Sequence, residues 1–276
     1  MNKVIVCLIA RLASNRLPNK VLSEINGLPL IQNIINNFKK SHIIKSKIVI
    51  CTTTNEEDNN LEVLGNKLGI QVVRGSVLSV VDRMIKAAEL NDAQTVVRVT
   101  CDNLFTDIIL HDYLVDQHLA GEFEYSRYHG LPIGVTSEVI NLKTLKKCYL
   151  INDANESEYM TVHLNRPDLF KVLTITPEKK LRKEYFDLSI DTESDLERAK
   201  ELYLLNDKNN LLKLVNYMEI NHHKFPEIDS KTKVKLINST ISYEKYLSKL
   251  RKIAKSSTQI SIEDNWYERN YSKYYD

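Results

Sequence analysis

Three cations, Arg11, Arg16 and Lys20, stand in the stretch IARLASNRLPNK directly after the apolar run VIVCLI, and no carboxylate precedes Glu24. Two guanidiniums and an ammonium, with Ser14 and Asn15 between them, make a cradle for a polyanion, because each donates charge-assisted hydrogen bonds to phosphate oxygens. This is not a Walker loop: the pattern G-x-x-x-x-G-K-[ST] is absent from the chain. A basic loop alone is often only a solvated loop, and this one gains weight from following a strand. Two carboxylates, Asp102 and Asp191, also follow apolar runs, TVVRVTCD and YFDLSID. Hard oxygen ligands suit Mg2+, which takes one or two protein carboxylates and completes its shell with phosphate and water. Each aspartate also has a simpler reading, Asp191 as the N-cap of the helix TESDLERAK and Asp102 as the end of a turn. The stretch HDYLVDQH sets His111 and His118 at helical spacing without the glutamate of H-E-x-x-H, so surface or helix-terminal roles are expected for both. His129, beside Gly130, is the one histidine read as a candidate for substrate contact.

These residues act together only if the fold gathers them. Apolar runs KVIVCLI, KIVICTT, IQVVR (70–74) and TVVRVTCD (95–102) alternate with helical patterns: LPLIQNIINNFKK with Pro29 in its first turn, a helix ending near Gly69, and helices over 77–91 and 107–120. Apolar strands separated by helices predict an α/β, Rossmann-like, mainly parallel sheet with helices on both faces. GVTSEVINL (134–142) and FKVLTI (170–175) read as further strands, and YFDLSID as a last one leading into the helix TESDLERAKELYLL. In open sheets of this kind ligands bind outside the carboxyl ends of the strands, which is where the cationic loop, Arg74 to Ser76, Asp102 and Asp191 all fall.

With 43% hydrophobic and 27% charged residues the composition is that of an ordinary globular protein, and 38 basic against 36 acidic residues leave no global field to recruit nucleic acid or an anionic membrane. Cys7, Cys51, Cys101 and Cys148 are scattered without any C-x-x-C pair, which fits buried, reduced thiols. The first apolar run is too short for a secretory signal or a membrane span, so a cytoplasmic protein is expected. Residues 1–206 hold 25 cations and 27 anions and residues 207–276 hold 13 and 9, so the second segment is read as a helical C-terminal extension of the first. Its two helical patterns carry apolar stripes, Leu211, Leu212, Leu214, Val215 and Met218, then Tyr243, Tyr246, Leu247 and Leu250. Such stripes need burial, against the chain's own core as a brace or against another subunit, so a homo-oligomer stays open. The last twenty residues, polar but aromatic, are expected to be partly disordered.

The pattern A-R-x-x-S-x-R-L-P-x-K, as Ala10, Arg11, Ser14, Arg16, Leu17, Pro18 and Lys20, resembles the signature of the spore-coat polysaccharide cytidylyltransferase family, related to the CMP-sialate and CMP-ketodeoxyoctonate synthetases. The resemblance continues, in the family's order, through RGSVLSVVDR, VVRVTCDN, PIGVTSEV, ESEYMTVHL and LSIDTESDL, over roughly residues 1–206. It implies the nucleotide-diphospho-sugar transferase fold and CMP transfer from CTP to a sugar acid or sugar phosphate, with pyrophosphate released, for surface polysaccharide assembly. By this resemblance Arg16 and Lys20 contact the β- and γ-phosphates, Arg11 lies nearer the α-phosphate, and Asp102 and Asp191 hold Mg2+. Ala10, Ser14, Arg74, Ser76, Asp82 and Arg98 fall in segments near the nucleotide. Asp82 and Arg83 are equally readable as an ion pair within a helix, and Arg98, if buried, needs a phosphate or carboxylate partner.

The pattern is not followed throughout. Ala13 and Asn19 stand where relatives usually have glycine, so either their φ angles are negative or the loop holds strain of about 1 kcal/mol. On the acceptor side D-V-E becomes Thr136-Ser137-Glu138, and E-H-V-T becomes Glu158-Tyr159-Met160-Thr161; Thr136, Glu138, Glu158 and Thr161 are the expected acceptor contacts. Two other readings stay open: a glycosyltransferase of the related fold, whose D-x-D motif is not found at CDN, and a nucleotide-binding protein without catalysis.

Overall fold

The computed structural model describes residues 3–43, 47–151, 160–205, 208–236 and 239–275. The chain opens with β1 (Val4–Ile9), the short hairpin β2 (Glu24–Ile25) and β3 (Leu28–Pro29), and α1 (Leu30–Phe38). Alternation continues through β4 (Ile48–Thr53), α2 (Asn59–Leu68), β5 (Gln71–Gly75), α3 (Val80–Leu90), β6 (Thr95–Thr100) and α4 (Ile108–Ala120). Then come β7 (Tyr125–Tyr128), β8 (Glu138–Asn141), α5 (Leu142–Ile151), α6 (Met160–Leu164), β9 (Val172–Thr176) and α7 (Glu193–Tyr203). The remaining elements are α8 (Leu211–Ile220), β10 (Lys233–Lys235), β11 (Thr240–Ser242), α9 (Tyr243–Ser256), β12 (Thr258–Ser261) and α10 (Trp266–Tyr275).

Eight strands form one sheet in the order β12-β9-β7-β8-β6-β1-β4-β5. Only β8 runs against its neighbours, antiparallel to β6 and β7. The central strands bury both faces, and their alternation sorts side chains into two layers: in β1, Ile5 and Cys7 pack with Val81, Met84 and Ala88 of α3, whereas Val6 and Leu8 face the layer that holds Ile34 of α1 and Leu114 of α4. All four cysteines are buried thiols outside any disulfide, and they pack in these layers as small apolar residues. From β1 the chain winds outward through β4 to β5, then returns to place β6 on the other side of β1. That reversal puts the switch point between β1 and β6, where the following loops diverge and leave a crevice.

Three features depart from the sequence reading. YFDLSID does not form a full strand: one parallel bridge, Ile133 to Asp187, and bonds from Leu188 N to Ile133 O and from Ile190 N to Asp102 O carry it as extended chain across the strand ends. Besides the two small hairpins β2–β3 and β10–β11, two strands of the large sheet were not anticipated, β7 and the C-terminal β12, which pairs in parallel with β9 from Thr258↔Leu173 to Ser261↔Thr176. Within the last twenty residues, 258–261 form β12 and 266–275 form α10, with Tyr267 fully buried, its hydroxyl donating to Asp107 and accepting from Leu211 N. The stripe Leu211, Leu212, Leu214, Val215 and Met218 is buried in the same core as α1 and α4.

Candidate active site

The loop after β1 is shaped by backbone bonds that its own residues supply. Leu12 N donates to Asp58 Oδ1 at 2.8 Å, and the same buried carboxylate accepts from Thr53 N and Thr53 Oγ1, tying the loop to the end of β4. Asn19 N returns to Leu12 O at 3.1 Å and closes the loop. This closure requires φ of +58° at Asn19, the left-handed region that asparagine tolerates best after glycine, while Ala13 is not among the residues with positive φ. A 3-10 turn, Lys20–Leu22, follows, anchored by buried Val21, and it aims Lys20 inward.

Lys20 is the hub. Its Nζ donates to Asp102 Oδ2 at 3.0 Å, Asp191 Oδ1 at 2.9 Å and Ile190 O at 2.9 Å. Arg16 Nη2 meets the other oxygen of Asp191 at 3.0 Å. Burial works against the charge on Lys20, but Asp102 and Asp191 outweigh it and raise the ammonium above its ordinary pKa. Neither aspartate caps a helix, since Thr192 caps α7 in a capping box with Asp195 and Asp107 caps α4. Two oxygens within 3.0 Å of one nitrogen lie less than about 6 Å apart, so small rotations bring them to the ~3–4 Å that one Mg2+ with ~2.1 Å bonds requires. The donor set therefore fits a hard divalent cation completed by phosphate and water, and the Lys20 ammonium holds that position between the carboxylates. Among the described residues no group of three or more His, Cys, Asp or Glu forms a protein-only cage.

Beside this cluster lies a cleft of about 260 Å³ floored by β6, β7 and β8, with Arg98, Arg127, Thr136, Glu138 and Thr161 in its lining. Glu138 is its polar centre: Oε2 accepts from Arg98 Nη1 at 2.5 Å, and Oε1 from Thr161 Oγ1 at 3.1 Å and from the Tyr125 hydroxyl. Burial pushes the Glu138 carboxyl up, but Arg98, the Tyr125 hydroxyl and Arg127 outweigh it and hold the carboxyl below its ordinary range. Arg98 Nε and Arg127 Nη1 are buried without hydrogen-bond partners among the described residues. Arg127, absent from the sequence reading, lies in the short strand β7 whose polar residues masked it. His129 also lines the cleft, its pKa lowered by burial and by Arg127.

The other expected residues are placed differently. Ala10 is buried at the root of the loop, Ser14 Oγ accepts from Leu17 N within it, and Arg11 is exposed on its surface. Arg74, on edge strand β5, bonds Thr53 O, Asn55 O, Asn59 and Glu62, a tie across the loop after β4. Ser76 N donates to Asp82 Oδ2, Ser76 Oγ accepts from Leu78 N and Ser79 N, and Asp82 forms its ion pair with Lys86 rather than Arg83. Arg83 is 2% exposed, with Nε and Nη1 lacking hydrogen-bond partners among the described residues, and burial pushes its pKa down. Glu158 lies outside the described residues. His111 and His118 are core residues rather than surface ones, although His118 does lie in the last turn of α4, as a helix-terminal role requires. α4 is packed on nearly all sides, Ser137 and Ser126 satisfy their Nδ1 atoms at 2.8 and 2.7 Å, and burial lowers the two pKa values to about 3 and about 4.

A doubly covered, mainly parallel sheet whose switch-point crevice gathers a cationic loop, two carboxylates and a polar cleft defines a nucleotidyltransferase. A family model described as cytidylyltransferase matches residues 5–225, and the chain belongs to that family, which makes it a CTP-dependent nucleotidyltransferase by class. It is 32% identical over 246 residues to the uncharacterized protein MJ1063 of Methanocaldococcus jannaschii, covering 88% of this chain and 98% of the relative. It is 31% identical over 209 residues to the spore coat polysaccharide biosynthesis protein SpsF of Bacillus subtilis, covering 74% and 87%. Among solved structures, a cytidylyltransferase from Leptospira borgpetersenii superposes with a TM-score of 0.74 at 24% identity, over 81% of this chain and 97% of that one.

Proposed function

We propose that this protein transfers CMP from CTP to a sugar acid or sugar phosphate, releasing pyrophosphate, in the cytoplasm and for the assembly of a surface polysaccharide. The observation that carries the reading is the convergence of Arg16, Lys20, Asp102 and Asp191 at the switch point. Arg16 and Lys20 hold the β- and γ-phosphates, and Arg11, at the rim, approaches the α-phosphate. Asp102 and Asp191 hold Mg2+, which when bound neutralises phosphate charge and orients the displacement. Ala10 and Ser14 shape the loop, and Arg74, Ser76 and Asp82 brace the neighbouring wall. In the transfer an acceptor oxygen forms a bond to the α-phosphorus while the bond from that phosphorus to the bridging oxygen breaks, its electron pair leaving on pyrophosphate. A hydroxyl acceptor also gives up its proton, to water or to the departing pyrophosphate; an ionised phosphate has none to give. Thr136, Glu138, Glu158 and Thr161 position the acceptor, and Arg98, expected nearer the nucleotide, is assigned to the same group through its bond to Glu138. The test is pyrophosphate release with Mg2+, each NTP in turn, and a panel of sugar acids and sugar phosphates. Release with CTP and a subset of the panel is expected; no release with any pair, or equal release with UTP and GTP, overturns the reading.

A further inference from the structure

The acceptor cleft has a wall that the family match does not contain. Tyr243, Tyr246, Leu247 and Leu250 line it, all from α9, beyond residue 225 where the match ends. Their spacing sets them on one side of the helix, while Glu244, Lys245, Ser248 and Lys249 face solvent. Tyr243 and Leu247 are buried; Tyr246 and Leu250 keep part of their surface open. The helix is fastened in this pose. Arg251 pairs with Glu184 and Glu244, the Tyr185 hydroxyl donates to Glu244, the Tyr243 hydroxyl donates to Glu184 O, and β12 locks the far end into the sheet. Leu131 and Ile133 add further apolar lining.

Floor and wall make opposite demands. In the floor, two guanidiniums face one carboxylate, which leaves an excess of positive charge that an anion complements. Against Leu247 and Leu250 a sugar hydroxyl would lose its water without gaining a partner, whereas a methyl or acyl group would gain by burial. The geometry points to α9 as the specificity wall of the acceptor site, and to an anionic sugar bearing an apolar substituent, an N-acyl group or a deoxygenated methyl carbon, as the acceptor it selects. This rests on the cytidylyltransferase reading above.

Two matched pairs of probes test it on the full chain with CTP and Mg2+: N-acetylneuraminate against its deaminated 2-keto-3-deoxynonulosonate analogue, and N-acetylglucosamine 1-phosphate against glucose 1-phosphate. In the pair that reacts, which also tells carboxylate from phosphate, kcat/KM should favour the acetylated member by at least about tenfold. Saturation-transfer NMR should show the acetyl methyl in contact with protein. Tyr246→Ser and Leu250→Ser should bring the ratio toward unity, and the milder Leu250→Ala, checked for folding by circular dichroism, should lower it in the same direction. Equal kcat/KM within the reactive pair, a ratio untouched by all three substitutions, or no contact with either acetyl methyl would overturn the proposal. CTP binding, read separately by calorimetry, separates the two failures: its absence in the unsubstituted chain sinks the enzymatic reading as well, and its presence confines the failure to the wall.

Discussion

Replacing Lys20 by methionine keeps the buried stem and removes the ammonium that separates Asp102 from Asp191. Lys20 donates two charge-assisted bonds, at 3.0 and 2.9 Å, and its side chain is 12% exposed against 25% and 31% for the two carboxylates. Such bonds are worth about 1.5–3 kcal/mol each, and partial solvent access pulls the pair toward the low end, so a loss of roughly 2–4 kcal/mol is expected without metal. For a chain of this size that lowers Tm by roughly 4–16 °C. Mg2+ should reverse much of it, since a cation at about 100 times its Kd adds ~2.7 kcal/mol. In the unsubstituted protein the ion must first displace the ammonium, so its stabilising effect should be smaller. Melting curves in EDTA and across a Mg2+ titration, for both proteins, give the comparison. If Mg2+ stabilises Lys20→Met no more than the unsubstituted protein, the two aspartates do not share a cation and the metal site is refuted.

Arg16→Ala should weaken CTP binding by roughly 10-fold or more while leaving CMP nearly unaffected, by calorimetry, since about 1.5–3 kcal/mol rides on one charge-assisted contact; equal losses would place Arg16 away from the outer phosphates. Glu138→Gln removes the counter-charge of Arg98 and should raise the acceptor KM or depress kcat with CTP affinity unchanged, as read by steady-state kinetics with each substrate varied. Burial raises the Asp107 carboxyl to about 6, so the folded state keeps its proton longer than the unfolded chain does. Stability from this group is therefore complete below about pH 4 and is lost as pH rises through about 6, by about 3 kcal/mol. Asp107→Asn should flatten that part of a pH series of urea melts, and an unaltered slope would show that Asp107 is not its source.

The parts of this molecule that were legible in its sequence are those where one physical signal dominates. β1, β4, β5 and β6 are apolar runs because both faces are covered, and Arg16, Lys20, Asp102 and Asp191 could be paired in advance because ligands gather at strand ends. Where signals compete, the reading fails. β7 carries Ser126 and Arg127 among its tyrosines, and β12, TQIS, is a polar edge strand whose only cue lies in its distant partner β9. YFDLSID has strand composition, yet it crosses the strand ends with one bridge, Ile133 to Asp187, in place of a ladder. The burial of His111 and His118 was illegible because their serine partners come from other elements. The role of α9 was illegible for the same reason: its stripe announces burial, and only tertiary structure shows that part of what it faces is a cleft.

The pairing of β12 with β9 also dates the chain's most exposed moment. Thr258 meets Leu173, so during synthesis β9 waits for about 85 further residues before its outer side is covered. At ~5–20 residues per second that is about 4–17 s. Throughout it, VLTIT presents a row of unpaired amides and carbonyls with no charged residue of its own, the kind of edge that recruits a strand from another nascent chain. When β12 arrives it replaces that edge with threonine, glutamine and serine, largely exposed and poor at templating. The interval is a kinetic window that the stability of the finished sheet does not shorten.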